Sequence, residues 1–272
     1  MAQLRGDNCL LDTVLEVKCK GQSNKPLYMK KTIYLLNIGD YLPEVTALTY
    51  PLIERYAAKI GAEVVKITER KYPDFAVVYE KLQIYEIEKT RQSDWIIYID
   101  SDTLVHPDLF DLTALIPRGT VFQKGRDFSL FRFRPNELFI EDGRFIGTCN
   151  WFTVFSRECI ELFNPNIGMT AEEIYAECSP TQAESFYFDR THLVDDYVLT
   201  TNLAKHDFPY MTMADLFEKH PYSHGEYLYH THMDSAAKKL DNIMVHHAAW
   251  TVVNHREPQP VSRQERRHGK KK

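Results

Sequence analysis

Buried strands and amphipathic helices are predicted to alternate in the N-terminal part of the chain. Apolar runs bounded by turn or charged residues, which are typical of buried strands, cover residues 31–39, 62–68 and 94–100. Residues 51–61 predict a helix, with Pro51 in its first turn and Gly61 just past its last residue. Residues 76–90 carry apolar side chains at helical spacing. This order is typical of a parallel sheet whose strands are joined by crossover helices.

The C-terminal part of the chain follows a different pattern. Residues 119–157 are rich in Phe, Arg and Gly, and they favour short strands separated by turns. A helix is predicted from about Asp195, and residues 242–250 are expected to form a strand or loop. We therefore expect an α/β fold with a parallel N-terminal half and a mixed C-terminal half.

Composition is that of a soluble globular protein, with 44% apolar and 26% charged residues. The five cysteines are odd in number and form no C-x-x-C pair, so neither a disulfide framework nor a zinc ribbon is indicated. No apolar run approaches the ~20 residues of a membrane-spanning helix, and residues 1–20 lack the continuous apolar core of a signal peptide. These features predict a cytoplasmic protein.

Charge is distributed unevenly along the chain. Residues 256–272 hold seven Lys/Arg and two Glu, whereas the whole chain has a net charge of −5, so the remainder is strongly acidic. The acidic charge of residues 1–255 argues against a nucleic-acid partner. The basic tail is expected to be disordered. It is either a solubilising end or a segment attracted to an anionic membrane surface, which would give a peripheral membrane contact.

Two carboxylates follow the third predicted strand one residue apart. Asp100 and Asp102 come at the carboxyl end of that strand, where open α/β sheets place their ligands. Residues two apart in extended chain point to one side, and two carboxylates there repel each other unless a cation lies between them. Mn²⁺ or Mg²⁺ would meet that need and leave positions open for phosphate oxygens. The alternative is a solvated turn with an Asp cap.

The segment "DWIIYIDSDTLV" resembles the metal-binding motif of glycosyltransferases with the GT-A fold, and the likeness extends toward glycosyltransferase families 8 and 34. Residues 34–65 resemble the first strand and helix of these families, and residues 79–102 resemble their approach to the metal. Further along the chain, residues 147–163 resemble an Asn-containing strand, 194–207 an acidic helix start and 242–250 a late His-bearing strand. The likeness covers about residues 32–250, and we place a GT-A-like domain with a Rossmann-like N-terminal half at 32–255. Residues 1–31 form an extension of uncertain structure, and 256–272 are the basic tail.

The resemblance implies transfer of a sugar from a nucleotide-sugar donor, with UDP as the expected nucleotide, to a glycan, lipid-linked or protein acceptor. Families 8 and 34 retain the anomeric configuration, so retention is expected. The implied metal ligands are Asp100, Asp102 and His246. His247 is the alternative third ligand, because two neighbouring residues of a strand face opposite ways.

Further roles follow from the same resemblance and from position along the chain. The donor is expected to contact Asn37, Gly39, Lys81 and Ser101. Lys81 could instead pair with the acids or be a solvated helix lysine. Asp195 and Asp196 are the expected catalytic carboxylates, with helix capping as their alternative role. The acceptor or donor sugar is expected to contact Asn150, Trp151 and His247.

Three other functions fit parts of the sequence. A sugar-nucleotide pyrophosphorylase would share the nucleotide-binding half, but "LLNIGDYLPEV" lacks the Gly-rich basic loop such an enzyme needs. A His/Asp metallohydrolase is suggested by the late histidines, and a non-catalytic sugar-binding scaffold would need no chemistry. The other late histidines are interpreted as polar residues near the surface: His220, His224, His230 and His232.

Overall fold

The computed structural model describes residues 29–125, 140–141, 144–145, 147–178, 193–219, 226–231 and 235–254. The predicted basic tail lies outside these ranges, as does nearly all of the N-terminal extension. The predicted division of the chain at residues 32 and 255 therefore stays a prediction.

Ten strands occur among the described residues, and six of them form the central sheet. In chain order the strands are β1 (Lys31–Leu36), β2 (Ala62–Ile67), β3 (Trp95–Ile99), β4 (Thr103–Val105), β5 (Val121–Gln123), β6 (Ile140–Glu141), β7 (Arg144–Phe145), β8 (Phe152–Ser156), β9 (Tyr210–Thr212) and β10 (Leu228–His230). The sheet order is β2-β1-β3-β8-β5-β9, and smaller pairs join β4 to β10 and β6 to β7. Strand β1 runs parallel to β2 and β3, whereas β8 lies antiparallel between β3 and β5. The predicted α/β fold, parallel in its first half and mixed in its second, is confirmed.

Both faces of the sheet are covered, which explains the continuous apolar run of β3. Ile97 and Ile99 pack into a core cluster on one face of the sheet, and Ile96 and Tyr98 pack into a second cluster on the other. All four side chains are fully buried. Strands buried on both faces are expected to read as unbroken apolar segments. The carboxylates that follow β3 are therefore held on a rigid strand end.

The helices of the described residues cover both sides of the sheet. They are α1 (Pro43–Ile60), α2 (Gln83–Arg91), α3 (Ala171–Glu177), α4 (Val194–Lys205), α5 (Met213–Lys219) and α6 (Ala236–Asn254), with short 3₁₀ segments at Val77–Leu82, Leu112–Ala114 and Arg157–Phe163. The helix predicted from Asp195 is confirmed as α4. Among the described residues, no helix is both long enough and apolar enough to cross a membrane.

Helix α1 starts earlier than its sequence suggests. The predicted start at Pro51 is wrong, because the helix begins at Pro43 and continues through Pro51. Val45, Thr46 and Thr49 are buried in the turns before Pro51, so tertiary packing outweighs the helical hydrogen bond that a proline removes.

The predicted helix at 76–90 is divided between a 3₁₀ segment and α2. Glu80 is fully buried in the 3₁₀ segment and accepts hydrogen bonds from Arg70 Nε at 2.7 Å and from the N–H groups of Lys71 and Tyr72 at 2.9 Å. A buried carboxylate with this many donors fixes the local backbone. It thereby fixes the position of the next residue, Lys81.

The expected late strand or loop at 242–250 is wrong, because these residues lie within the 19-residue helix α6. Leu240, Ile243 and Trp250 recur at helical spacing and pack with Val45 and Leu104. The apolar period of 3.6 residues thus decides the structure of this segment.

Candidate active site

Asp100 and Asp102 lie in a tight turn between β3 and β4. The turn is closed by a 3.0 Å hydrogen bond from the Thr103 N–H to the Asp100 carbonyl, so the predicted extended conformation of the pair is replaced by a turn. Ser101, between them, is buried and uses its hydroxyl to contact the Leu36 carbonyl at 2.6 Å. Its own carbonyl accepts from Thr49 Oγ1 at 2.6 Å. The turn is therefore tied to both β1 and α1.

His230 completes a three-residue group with the two carboxylates. Antiparallel pairing of β10 with β4 sets His230 opposite Thr103. The imidazole Nε2 lies 3.0 Å from Asp102 Oδ1 and 3.5 Å from Asp100 Oδ2. Potential ligand atoms of the three side chains all lie within 4.8 Å of one another. Two carboxylates and one imidazole form a donor set that fits a divalent ion such as Mn²⁺.

Trp151 packs against this group through His230. Its ring stacks on the His230 imidazole at 5.0 Å between centroids and 8° between planes, and its carbonyl accepts from the Asp100 N–H at 2.8 Å. Trp151 was expected to touch a sugar, and in the structure it orients two members of the group.

His246, the predicted third ligand, lies elsewhere. It stacks on Tyr229 with ring centroids 3.4 Å apart, and its Nδ1 is 3.9 Å from Glu226 Oε2. His247 is half-buried on the same helix. Among the described residues the histidine that joins the Asp pair is His230. The predicted surface histidines His220, His224 and His232 lie outside the described residues.

A lysine that the sequence did not single out contacts the metal group. Lys239, in the first turns of α6, forms an ion pair with Asp102 Oδ2. The Tyr41 hydroxyl lies 3.2 Å from the same oxygen and 3.2 Å from the ammonium. Burial alone would raise the pKa of Asp102, but His230 and Lys239 outweigh it and hold that pKa well below its usual range. The Asp102 carboxylate is therefore ionised and engaged on both oxygens.

Lys81 joins the metal group to Asp195, one of the two predicted catalytic acids. Its side chain is 4% exposed, and its ammonium lies 2.7 Å from Asp195 Oδ2 and 3.7 Å from Asp100 Oδ1. Burial would lower the pKa of Lys81, but attraction to Asp100 and Asp195 outweighs this effect and raises it. Lys81 is thus a buried, ion-paired cation and not a solvated helix lysine.

One oxygen of Asp195 has no hydrogen-bond partner in the part of the chain that the structure describes. This atom, Oδ1, is buried, while Oδ2 pairs with Lys81. Burial raises the pKa of this carboxyl despite the nearby ammonium. A buried carboxylate oxygen left unpaired is costly, so a bound ion, a water or a catalytic role is needed to explain it.

Asp196 belongs to a separate chain of hydrogen bonds. Its Oδ1 accepts from Asn150 Nδ2 at 2.5 Å, and Asn150 Oδ1 accepts from Gln123 Nε2 at 2.6 Å. The Tyr210 hydroxyl lies 3.0 Å from Gln123 Oε1. Asp195 and Asp196 both lie in the first turn of α4, yet their carboxylates are directed to Lys81 and Asn150.

Asn37 and Gly39 form the turn that follows β1. Asn37 Oδ1 accepts from the Tyr41 N–H at 2.9 Å, which links this turn to the tyrosine beside Asp102. Gly39 has a φ of +68°, and a Cβ there would meet no atom of the described residues within 4 Å. The positive φ, and not a close approach of other protein atoms, accounts for glycine here.

Comparison with known proteins gives matches among solved structures. No protein-family profile and no curated protein matches the sequence. A crystal structure of a glycosyltransferase involved in the glycosylation of the major capsid of PBCV-1 aligns with a TM-score of 0.46 and 13% identity, over 79% of this chain and 99% of that one. A structure of a protein from STIV aligns with a TM-score of 0.30 and 18% identity, over 49% of this chain and 68% of that one. These alignments are too loose to transfer a site or an activity.

Proposed function

We propose that this protein is a metal-dependent glycosyltransferase. The observation that carries the proposal is the group formed by Asp100, Asp102 and His230 at the carboxyl end of β3. This is the edge at which α/β sheets bind their ligands. The sequence resemblance to glycosyltransferase families 8 and 34 supports the same reaction.

The donor is proposed to be a UDP-sugar whose diphosphate lies against the metal group. Mn²⁺ or Mg²⁺ bound there would act as a Lewis acid that stabilises the leaving diphosphate. The turn containing Asn37 and Gly39 follows β1, the neighbour of β3 in the sheet, and we assign it to the nucleotide. Ser101, whose hydroxyl already contacts Leu36, is assigned to holding the turn between the two acids.

The reacting sugar is assigned to the region between the metal group and the first turn of α4. Lys81 holds Asp195 within the same ion-paired cluster as Asp100, and Asp195 Oδ1 has no hydrogen-bond partner among the described residues. Asp196, oriented by Asn150, is proposed to orient the acceptor hydroxyl or stabilise charge at the anomeric carbon. Transfer to a glycan, lipid-linked or protein hydroxyl with retention of configuration completes the proposal.

Release of nucleotide from a panel of nucleotide sugars tests this function. The full chain would be incubated with each donor in Mn²⁺ or in EDTA, and free nucleoside diphosphate would be measured. We expect release from at least one UDP-sugar in Mn²⁺ and little release in EDTA. A chain that binds donors and releases no nucleotide would instead be a non-catalytic scaffold.

His230→Ala is expected to weaken Mn²⁺ binding, whereas His246→Ala is expected to leave it unchanged. His230 Nε2 lies against both carboxylates, while His246 stacks on Tyr229. We expect a loss of at least about 10- to 100-fold for His230→Ala, because removing a direct ligand costs no less than removing a group that only supports a metal. Calorimetric titration with Mn²⁺ measures both variants. A loss in His246→Ala with none in His230→Ala would restore His246 as the ligand.

Asp196→Asn is expected to reduce sugar transfer by about 100-fold or more while UDP binding persists, because this carboxylate is assigned to the reacting centre and not to the metal. The introduced Asn side chain keeps the hydrogen bond donated by Asn150 only if its amide oxygen takes the place of Asp196 Oδ1. Asp195→Asn provides the comparison between the two acids, and the exposed Asp207→Asn provides the control. Turnover and UDP affinity would be measured separately. Full activity in both Asp195→Asn and Asp196→Asn would remove the first turn of α4 from the site.

A further inference from the structure

Lys239 and His230 contact different oxygens of Asp102. His230 Nε2 is nearest to Asp102 Oδ1, whereas the Lys239 ammonium contacts Asp102 Oδ2. The lysine side chain is 13% exposed. Because this ammonium contacts Asp102, a divalent ion held by the same carboxylate would lie within a few ångströms of it, and the two cations would repel each other.

The charges of the linked groups show what such an ion would change. Among the described residues, ion pairs join the carboxylates of Asp100, Asp102 and Asp195 to the ammonium groups of Lys81 and Lys239. This cluster has a net charge of −1, so a divalent ion would leave it at +1. Without Lys239 the same ion would leave the cluster neutral. With Lys239 present, the metal-bound cluster therefore has a positive net charge that favours an accompanying anion.

Lys239 also lies beside the segment assigned to the nucleotide. Its ammonium is 3.2 Å from the Tyr41 hydroxyl, and the Tyr41 N–H donates to Asn37 in the turn after β1. An ammonium displaced from Asp102 would therefore have the diphosphate of the donor as a nearby partner of opposite charge.

We propose that Lys239 couples metal binding to donor binding. Its ammonium competes with the metal for Asp102, and it binds the donor diphosphate once the metal has displaced it from that carboxylate. This inference rests on the proposed function. Lys239 lowers the affinity for the ion by itself and raises the affinity for diphosphate in the presence of the ion. Because coupling between two ligands is reciprocal, each ligand then strengthens the binding of the other.

Calorimetric titration of the full chain tests this role in two steps. Mn²⁺ alone is titrated first, and UDP is titrated next in saturating Mn²⁺. Lys239→Met and Lys239→Gln are expected to bind Mn²⁺ about tenfold more tightly and UDP about tenfold more weakly than the unaltered chain. The control is Lys238→Met, which removes an exposed ammonium from the same helix and is expected to change neither affinity. Thermal unfolding verifies that each variant is folded, and Lys239→Gln retains a hydrogen-bond donor for Asp102 if Lys239→Met does not fold.

Distinct results would overturn the inference and the proposed function. Equal Mn²⁺ affinities in the Lys238 and Lys239 variants would contradict the competition between lysine and metal. Tighter binding of both Mn²⁺ and UDP in Lys239→Met would contradict the diphosphate contact. An unaltered chain that binds Mn²⁺ but no UDP would contradict the proposed function and, with it, the donor half of the coupling.

Discussion

Asp102→Asn is expected to weaken binding of UDP in Mn²⁺ by more than about 100-fold while the protein remains folded. The loss exceeds the 10- to 100-fold found for groups that only support a metal, because this carboxylate is assigned as a direct ligand. The variant keeps an oxygen acceptor for His230 or Tyr41, and although it loses the ion pair with Lys239, it also removes one of two mutually repelling carboxylates. Titration with UDP in Mn²⁺ and thermal unfolding measure the two quantities.

The matched control is Asp108→Asn on the segment that follows β4. Asp108 has a side chain 74% exposed, and its carboxylate lies 3.9 Å from His106 Nδ1. Its replacement removes the same formal charge without touching the metal group, and UDP affinity should be retained. Unfolding of Asp102→Asn at room temperature would assign a structural role to Asp102.

Lys81→Met is expected to reduce the free energy of unfolding by about 3–5 kcal/mol, the cost of removing one partner of a buried ion pair. The ammonium is the counter-charge of Asp195, which is itself buried. Methionine fills a similar volume, so the loss comes from the uncompensated carboxylate and not from a cavity. Denaturant unfolding at neutral pH measures the change.

A double substitution separates this charge effect from loss of packing. Lys81→Met with Asp195→Asn should recover part of the stability lost in Lys81→Met, with a coupling of about 2 kcal/mol. Lys89→Met, which removes an exposed lysine paired to Glu86, is expected to change stability little. Additive losses in the double variant would show that Lys81 and Asp195 do not depend on each other.

The sheet and the carboxylate pair could be predicted because their signals are local. Strand β3 reads as one apolar run since both of its faces are buried, and Asp100 and Asp102 follow it directly. The acids of α4 were found in the same way, from a helix start visible in the sequence. Each of these predictions depended on residues close together along the chain.

The partners of these acids could not be predicted because they come from distant segments. His230 reaches the Asp pair through β4 and β10, strands of three residues each whose pairing leaves no pattern in the sequence. Lys239 reaches Asp102 because α6 packs on α1 through Ile243 and Val45. Residues 242–250 of α6 were expected to form a strand or loop, although Leu240, Ile243 and Trp250 carried the helical period that could have corrected this prediction.

Metal dependence of donor binding tests the central claim most directly. UDP would be titrated into the unaltered full chain in Mn²⁺ and again in EDTA, with affinity measured by calorimetry. A diphosphate should be repelled by the carboxylates of Asp100 and Asp102 unless a divalent ion lies between them. The account predicts an affinity at least about tenfold higher in Mn²⁺, a coupling of ordinary size for two ligands of one site. Equal affinities in Mn²⁺ and EDTA would contradict it.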